Sequence, residues 1–418
     1  MNKRHIFIIL LAGLMTANVQ LASAAVDDLA AIDLVNQARE HNGLLPFKYS
    51  ATLEQAAENH NRYLVNYRLC GHHQQKAGIV FSGYSFRERM SYVHYASRGG
   101  AENINCSKDD YSSWQNATSS LMATIYHRLI FLNYHLDEIG LSYRQGKKSD
   151  QTPNKFTFLM GSSAINQLCQ SATQAEEFNP SLNQYYLFTD LCLNSETQVN
   201  EKDYINLKNT LYKDVPDAII YPWDGQKNVL PAFLDNENPD PTPTLGLSGM
   251  PISVQFTVYP KKVSVTHFTL REVSGKQVEV WQLDHTSDPN KKMSSYEYAW
   301  FPVKPLMRAT TYRASVRYIV NDQPQEKSWT FQTEPYHYPS VHLISKENHS
   351  IFSPTREKIV VQWEDGTDTI NSLLCWCTDC NPKVEGFDTV SLTTSSDNVD
   401  CTIVDKAGNK LTFFVNKN

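Results

Sequence analysis

Three stretches, Gly71-His72-His73, Ala101-Glu102-Asn103-Ile104 and Tyr126-His127-Arg128, determine the fold expected of this chain. Each places an imidazole or a carboxylate in a region whose apolar spacing is otherwise that of a compact α/β unit. A fourth stretch, Gly83 to Tyr95, lies between the first two and adds an arginine-containing turn. Because all four follow one another early in the chain, the residues that could carry chemistry are expected in an N-terminal domain.

Helical spacing dominates the sequence around these stretches. Asn42-Gly43 ends the first helix, and His60 lies on the apolar face of the second, where a core histidine bonded to the backbone is expected rather than a ligand. Two short strands are predicted over residues 140–143 and 156–160, so the region predicts an α-β-α sandwich that closes near Cys169. The three apolar faces are Leu29, Ile32, Val35 and Ala38, then Leu53, Ala56, Ala57, His60 and Leu64, and finally residues 121–132.

The first residues have the composition of a secretory signal. Lys3 and Arg4 precede an apolar run over residues 6–15, and Ala22-Ser23-Ala24 is a small-residue cleavage site. We therefore expect a signal peptide over residues 1–24 and a mature protein that is secreted or periplasmic. No segment approaches about 18 continuous apolar residues, so no transmembrane segment is expected.

Composition and missing motifs exclude several functional classes. The formal net charge is −6 at pH 7, from 38 basic and 44 acidic residues, and no basic stripe is present. Nucleic acid is therefore not an expected partner. The sequence has no glycine-rich phosphate loop, no His-Glu-x-x-His helix and no Gly-x-Ser-x-Gly turn. These absences argue against a nucleotide-binding enzyme, a helix-borne zinc protease and an α/β-hydrolase.

All eight cysteines follow the predicted signal, and an even number in an exported chain favours disulfides over reactive thiols. Proximity along the chain suggests the pairs Cys70–Cys106 and Cys169–Cys192, with the last four pairing among themselves, although connectivity does not follow from sequence. The spacing Cys375-x-Cys377-x-x-Cys380 also matches a metal knuckle, and two disulfides are the preferred interpretation. The eight are Cys70, Cys106, Cys169, Cys192, Cys375, Cys377, Cys380 and Cys401.

The rest of the chain is expected to form a connector and two β-domains. Residues 171–213 are polar and rich in asparagine, which is typical of a connector. Apolar and polar residues alternate over 252–258 and 312–318, which predicts a β-sandwich over residues 214–335. A small β-domain that carries half of the cysteines is predicted over residues 336–418.

The motifs of residues 25–170 resemble the bacterial branch of the CAP superfamily (cysteine-rich secretory proteins, antigen 5 and pathogenesis-related proteins), also called the SCP domain. Ala101-Glu102-Asn103-Ile104 is similar to the family's Gly-Glu-Asn-Ile, and Tyr126-His127-Arg128 to its Gly-His-Arg. Asp137 to Leu141 is similar to the family's Glu-Ile-Gly sequence at the start of a strand. In the first two motifs, Ala101 and Tyr126 stand where the family has glycine. The resemblance implies an α+β protein that begins with a CAP-type α-β-α sandwich over residues 25–170.

The C-terminal part also has a family resemblance. The segment Tyr221-Pro222-Trp223-Asp224-Gly225 is similar to bacterial Ig-like modules. This implies that the two β-sandwich-like domains are Ig-like spacers or adhesive surfaces. Such a likeness concerns fold, and fold alone does not fix function.

The CAP resemblance implies one cleft that contains His72, Glu102 and His127. Two neutral imidazoles and an ionised carboxylate can hold zinc, with a fourth position left for water or substrate, and such a metal can activate the water. Two metal-free alternatives stay open, in which Glu102 orients His127 or the trio only stabilises the fold. His73 and Glu138 are further candidates for the cleft.

These features favour binding over catalysis. We expect an exported protein whose His/Glu cleft can bind a divalent metal and whose surfaces meet a lipid, glycan or protein partner. The alternative is a zinc-assisted, protease-like hydrolase, with His72 and His127 as ligands and Glu102 as general base or third ligand.

Overall fold

The computed structural model describes most of the chain. The described residues are 30–75, 78–107, 113–147, 151–171, 187–188, 191–194, 197, 199–233, 237–258, 261–335, 341–352, 358–363, 368–377, 379–396 and 398–416. The signal peptide predicted over residues 1–24 lies outside them. The chain divides into two compact units, Met1–Ile219 and Ile220–Asn418.

The first unit mixes helices and strands. Its helices are α1 (residues 30–41), α2 (Ala51–Tyr67), α3 (Phe86–Tyr92), α4 (Trp114–Ala123), α5 (Ile125–Phe131), α6 (Ser163–Ser171) and α7 (Glu201–Tyr212). Its strands are β1 (Lys48–Tyr49), β2 (Gly100–Ser107), β3 (Glu138–Arg144), β4 (Asn154–Gly161), β5 (Leu187–Phe188) and β6 (Val199–Asn200). The four strands β1-β3-β4-β2 form one sheet in that order, so the edge strand β2 carries the Ala-Glu-Asn-Ile motif.

Helix α2 packs directly on one face of this sheet. Gly140 of β3 permits the contact, since a Cβ there would lie 2.0 Å from the backbone nitrogen of Glu54. Asn61 of α2 donates to the carbonyl oxygen of Ser142 at 2.7 Å and accepts from the hydroxyl of Thr157 at 2.7 Å. Because α2 holds both central strands in this way, its C-terminal end has a fixed position beside β2.

The opposite face of the sheet is covered by α4 and α5 through an aromatic core. Trp114 meets Phe156 and Phe158 edge-on at 5.1 and 5.3 Å, and Phe131 meets Phe158 in the same way at 5.3 Å. Aromatic pairs of this geometry add to the burial of their area. The predicted α-β-α sandwich is therefore confirmed as helices on two sides of one sheet.

The single helix predicted over residues 121–132 is wrong, because the chain forms two helices there. Thr124 has an extended backbone (ψ 155°), and its hydroxyl donates to the carbonyl oxygen of Leu121 at 2.8 Å. The buried guanidinium of Arg128 then binds the last carbonyls of α4, Met122 and Ala123, at 2.8 and 3.1 Å. A β-branched residue whose hydroxyl bonds to the backbone favours such a break, which apolar periodicity alone does not reveal.

The segment predicted as a polar connector contains the helix α7. The side chain of Asn200 accepts from the backbone N–H of Lys202 at 2.9 Å, and Glu201 and Asp203 follow in the first turn. A cap and early carboxylates stabilise a helix N-terminus. None of the α7 residues is buried, which explains why no apolar period marked this helix.

The described residues of the second unit form strands. The first group comprises β7 (Ala218–Tyr221), β8 (Gln226–Val229), β9 (Ala232–Phe233), β10 (Ser248–Gly249), β11 (Ile252–Phe256), β12 (Val263–Glu272), β13 (Gln277–Val278), β14 (Val280–Asp284), β15 (Glu297–Pro302), β16 (Thr311–Val320) and β17 (Gln323–Thr333). Its main sheets have the orders β14-β15-β11-β7 and β13-β12-β16-β17-β8.

The second group comprises β18 (His342–Ile344), β19 (Ser350–Phe352), β20 (Ile359–Trp363), β21 (Ile370–Trp376), β22 (Asn381–Val384), β23 (Thr389–Thr393), β24 (Asn398–Asp405) and β25 (Lys410–Asn416). Its sheets have the orders β18-β20-β23-β22 and β19-β25-β24-β21. The predicted α+β class is thus confirmed: a mixed N-terminal region is followed by a β-rich C-terminal region. The predicted domain boundaries within this arrangement stay predictions.

All eight cysteines are paired in disulfides. Cys70–Cys106 and Cys169–Cys192 are bonded as predicted, and the last four form Cys375–Cys401 and Cys377–Cys380. The first of these bonds joins the segment before His72 to β2. In the part of the chain that the structure describes, no helix is long and apolar enough to cross a membrane.

Candidate functional site

The centre of the site is the carboxylate of Glu102 on the edge strand β2. Its residue is only 4% exposed, and its Oε2 accepts from Nη2 of the fully buried Arg89 of α3 at 2.6 Å. Although burial alone would raise the pKa of Glu102, the field of Arg89, and then that of His60 and the hydrogen bond from His72, lowers it to about 2. Glu102 is therefore ionised at neutral pH and can only accept hydrogen bonds.

Arg89 also holds together the two loops that precede it. Its Nη1 donates to the carbonyl oxygens of His72 at 3.1 Å and Tyr84 at 3.2 Å. Gly83 allows this close turn: its φ is +145°, and a Cβ there would lie 2.7 Å from Cβ of Glu88. One buried guanidinium thus fixes the spacing between His72, Tyr84 and β2.

The first predicted pair of site residues is brought together. Nδ1 of His72 lies 3.0 Å from Oε1 of Glu102. Because the carboxylate has no proton to donate, Nδ1 must donate, and Nε2 of the neutral ring then carries the lone pair. The His72 side chain is 44% exposed, so this hydrogen bond to a buried carboxylate fixes an imidazole at the surface.

His60 of α2 forms a second layer under this pair. It is fully buried, with Nε2 3.0 Å from the carbonyl oxygen of Gly71 and Nδ1 3.2 Å from Nε2 of Gln74. A carbonyl requires a donor and an amide N–H requires an acceptor, so the proton of His60 lies on Nε2. Burial lowers the pKa of His60 to about 4. As predicted, it is a core histidine bonded to the backbone.

The structure places His127 in a different environment. Its half-buried ring has Nδ1 2.9 Å from the hydroxyl of Thr124, and its carbonyl oxygen accepts from Asn103 at 2.9 Å. Successive side chains of a strand point to opposite faces. The side chain of Asn103 therefore lies on the other face of β2 from that of Glu102, and it meets the His127 backbone there.

The zinc set of His72, Glu102 and His127 stays a prediction. Over the described ranges, no three or more His, Cys, Asp or Glu side chains are grouped so that they could hold a metal ion. The donor atoms also do not favour a metal on Glu102, because Arg89 binds one of its oxygens and His72 the other. A guanidinium at 2.6 Å would in addition repel a cation.

The further cleft candidates have separate roles. Glu138 of β3 accepts from the hydroxyl of Tyr95 at 2.8 Å. Glu102 pairs with Leu159 and Glu138 with Gly161, so the whole width of β4 separates the two carboxylates. By contrast, the exposed His73 lies beside the site, with its ring stacked on that of Tyr84 at 4.6 Å between centroids and 14° between planes.

Sequence reasoning did not identify the roles of Arg89, Gln74 and Tyr84. The resemblance did mark an arginine-containing turn between Gly83 and Tyr95, but nothing in the spacing showed that Arg89 is the partner of Glu102. Gln74 accepts from the backbone N–H of Ser82 at 2.8 Å and binds His60. Such a polar network depends on contacts between loops, which have no periodic signature.

One family model matches the chain. Residues 32–160 match the cysteine-rich secretory protein family, CAP. This part, less than a third of the chain, is similar to a CAP domain. Proteins with this domain are generally extracellular, and the four disulfides fit a secreted protein. No curated protein matches the chain.

Solved structures also resemble part of the chain. An outer surface protein from Borrelia burgdorferi is 15% identical, with 32% of this chain and 92% of that chain covered and a TM-score of 0.28. An extracellular protein containing a SCP domain from Bacillus anthracis is 16% identical, with 31% of this chain and only 39% of that chain covered and a TM-score of 0.26. At these TM-scores the two likenesses carry no conclusion about this chain.

Proposed function

We propose that the CAP domain is an extracellular binding module whose principal recognition group is the imidazole of His72. The observation that carries this proposal is the hydrogen bond of Nδ1 to the buried, ionised Glu102, with the ring half-exposed. A fixed imidazole can accept a hydrogen bond at Nε2 without first losing the freedom to rotate. Preorganisation of this kind improves binding by reducing the entropy lost on association.

The same geometry gives little support to a hydrolase that uses a serine or cysteine nucleophile. An Asp/Glu–His pair activates a nucleophile when a hydroxyl or thiol lies within hydrogen-bond reach of the second ring nitrogen. In the described part of the chain, the hydrogen bond of the His72 ring to Glu102 is its only one. Every cysteine is in a disulfide, so no thiol can serve. Binding is therefore the function that this site supports best.

Metal binding is retained as a separate proposal with its own test. Nε2 of His72 would be the ligand atom, since both oxygens of Glu102 are engaged. A carboxylate that orients a metal-bound imidazole from behind is a common arrangement. Calorimetric titration of the full chain with zinc is compared with that of the His72→Ala and His127→Ala variants. Loss in His72→Ala alone supports His72 as the ligand, and loss in both variants supports the predicted set. No binding by the wild type refutes metal binding.

The binding proposal is tested with three kinds of immobilised extracellular ligand: neutral polysaccharides, phospholipid vesicles and matrix proteins. The wild-type chain is compared with His72→Ala, and with His127→Ala as a matched control on the other side of β2. We expect at least one ligand class to be retained by the wild type and by His127→Ala, and to be lost by His72→Ala. Retention that is the same in all three proteins would contradict the proposal.

A further inference from the structure

Resting on the proposed binding function, we propose that the ligand of this site is the neutral sugar ring of a glycan. The platform that would bind it consists of His72, His73 and Tyr84 and is called the imidazole–tyrosine platform below. Two observations carry the proposal: the stacked rings of His73 and Tyr84, and the polar atoms at the ends of all three side chains. Neither observation was part of the predicted metal site.

The stacked pair provides a flat and rigid surface. The rings of His73 and Tyr84 are 4.6 Å apart and nearly parallel, at 14°. Both residues are exposed, and Tyr84 is 49% exposed. Aromatic faces carry partial negative charge, and one face of a pyranose ring presents C–H groups that are weakly positive. A sugar ring can therefore lie on the outer face of this pair.

The imidazole–tyrosine platform is held by its backbone rather than by its side chains. The carbonyl oxygens of His72 and Tyr84 both accept from Arg89, and that of Tyr84 also accepts from the backbone N–H of Gln74 at 3.0 Å. The backbone N–H of Tyr84 donates to the carboxylate of Glu88 at 2.8 Å. The ring ends are thus left free for a ligand while their spacing stays fixed.

The polar atoms distinguish a sugar from a lipid chain. Within the described residues, Nε2 of His72, the ring nitrogens of His73 and the hydroxyl of Tyr84 make no hydrogen bond. An acyl chain would cover these atoms without pairing them, and unpaired burial of polar groups is costly. A sugar would give each of them a hydroxyl partner. Apolar faces combined with a few convergent polar atoms are typical of small-ligand sites.

The local charge favours a neutral glycan over an anionic one. The positive charge of Arg89 is compensated by Glu102 at 2.6 Å. A further carboxylate beside the platform is that of Glu88, which is exposed and bonded to the Tyr84 backbone. A sulfated or carboxylated polymer would therefore meet the negative charge of Glu88 beside the platform. Like charges next to each other weaken binding.

The test is a titration of the full chain with two kinds of neutral β-linked oligosaccharide, cello- and chito-oligosaccharides. Binding is measured by calorimetry and by NMR of labelled histidine rings. We expect the ring signals of His72 and His73 to shift on titration. We also expect Tyr84→Ala to weaken the affinity about tenfold, which lies within the range found when a ring that stacks on a nucleobase is removed. Tyr84→Phe should keep most of the affinity. Tyr92→Ala is the matched control, because Tyr92 is also an exposed tyrosine and lies at the end of α3.

Three outcomes overturn the inference. They are no binding of either sugar by the wild type, equal losses in Tyr84→Ala and Tyr92→Ala, and binding without a shift of the His72 ring. If phosphatidylcholine vesicles or a matrix protein bind through His72 while the sugars do not, the sugar inference fails and the proposed binding function survives. If no ligand depends on His72, both fail.

Discussion

The buried ion pair between Arg89 and Glu102 makes the strongest prediction about this fold. The substitution Glu102→Gln keeps the shape of the side chain but leaves the guanidinium of Arg89 buried without its counter-charge. The pKa of Glu102 lies near 2 instead of 4.5, and each pKa unit corresponds to about 1.4 kcal/mol. We therefore expect a loss of about 3 kcal/mol of unfolding free energy at neutral pH, in line with other buried pairs that lose one partner.

The matched control is Glu58→Gln, which removes the ion pair of Glu58 with Arg144 in the same unit. Both partners of that pair are about one-third exposed, at 33% and 39%, and exposed pairs contribute about 0–1 kcal/mol. The two variants differ mainly in the burial of the arginine that loses its partner, since Arg89 is fully buried and Arg144 is partly exposed. Equal losses in both would show that burial does not strengthen the Arg89–Glu102 pair.

The assay needs a probe that reports on the first unit alone. Trp114 is the one tryptophan of residues 1–219, and it packs on Phe156 and Phe158 in the core. Fluorine NMR of the full chain labelled with fluorotryptophan therefore follows this unit, with Trp114→Phe to assign the signal. With urea slopes of about 1–3 kcal/mol/M, the midpoint should fall by about 1 M or more in Glu102→Gln.

Three further predictions concern pH, a disulfide and a helix contact. Since burial lowers the pKa of His60 to about 4, below the ordinary 6.5, the stability that its neutral form provides is complete above pH 6.5 and is lost as the pH falls towards 4. Protonation of Glu102 causes a second loss of stability between pH 4.5 and about 2. In acid titrations, His60→Gln should therefore reduce the pH dependence of stability only between pH 6.5 and about 4. A variant with the same pH dependence as the wild type would contradict this. The cysteines of the Cys70–Cys106 disulfide are 36 residues apart, and replacing both by serine should lower the free energy of unfolding in urea by about 4 kcal/mol. The substitution should also increase hydrogen exchange in the loop that follows Cys70. Unchanged exchange would show that Arg89 alone holds this loop. Gly140→Ala should destabilise the fold by about 3 kcal/mol or more in thermal melts, since its Cβ would lie 2.0 Å from a backbone nitrogen of α2. The control Gly99→Ala, whose Cβ would have its nearest atom at 3.4 Å, should cost little. Equal losses of stability in the two variants would refute the close contact.

Apolar periodicity predicted the elements that bury a continuous face. Helix α2 was found because Leu53, Ala56, Ala57 and Leu64 share one side, and each is fully buried. Helix α7 was missed because it buries none of its residues. The signal used to find helices is therefore a signal of burial, and it fails where a helix is stabilised by caps and charge.

The candidate site was predictable in part, for a related reason. The resemblance predicted His72 and Glu102 in one cleft, and Nδ1 of His72 lies 3.0 Å from Oε1 of Glu102. Glu138, also proposed for the cleft, bonds to Tyr95 instead. That outcome depends on strand order, since β4 separates the two carboxylates. Strand order follows from long-range contacts, which a single sequence does not display.

The proposed function rests on the hydrogen bond from Nδ1 of His72 to Glu102. Nitrogen NMR of the imidazole rings in the full chain, recorded above the ordinary histidine pKa of about 6.5, tests it most directly, with His73→Gln and Glu102→Gln used to assign signals and to remove the acceptor. We expect the proton of the neutral His72 ring on Nδ1 in the wild type and a mixture of tautomers in Glu102→Gln. A neutral wild-type ring with its proton on Nε2, or no change on substitution of Glu102, would show that Glu102 does not fix the ring.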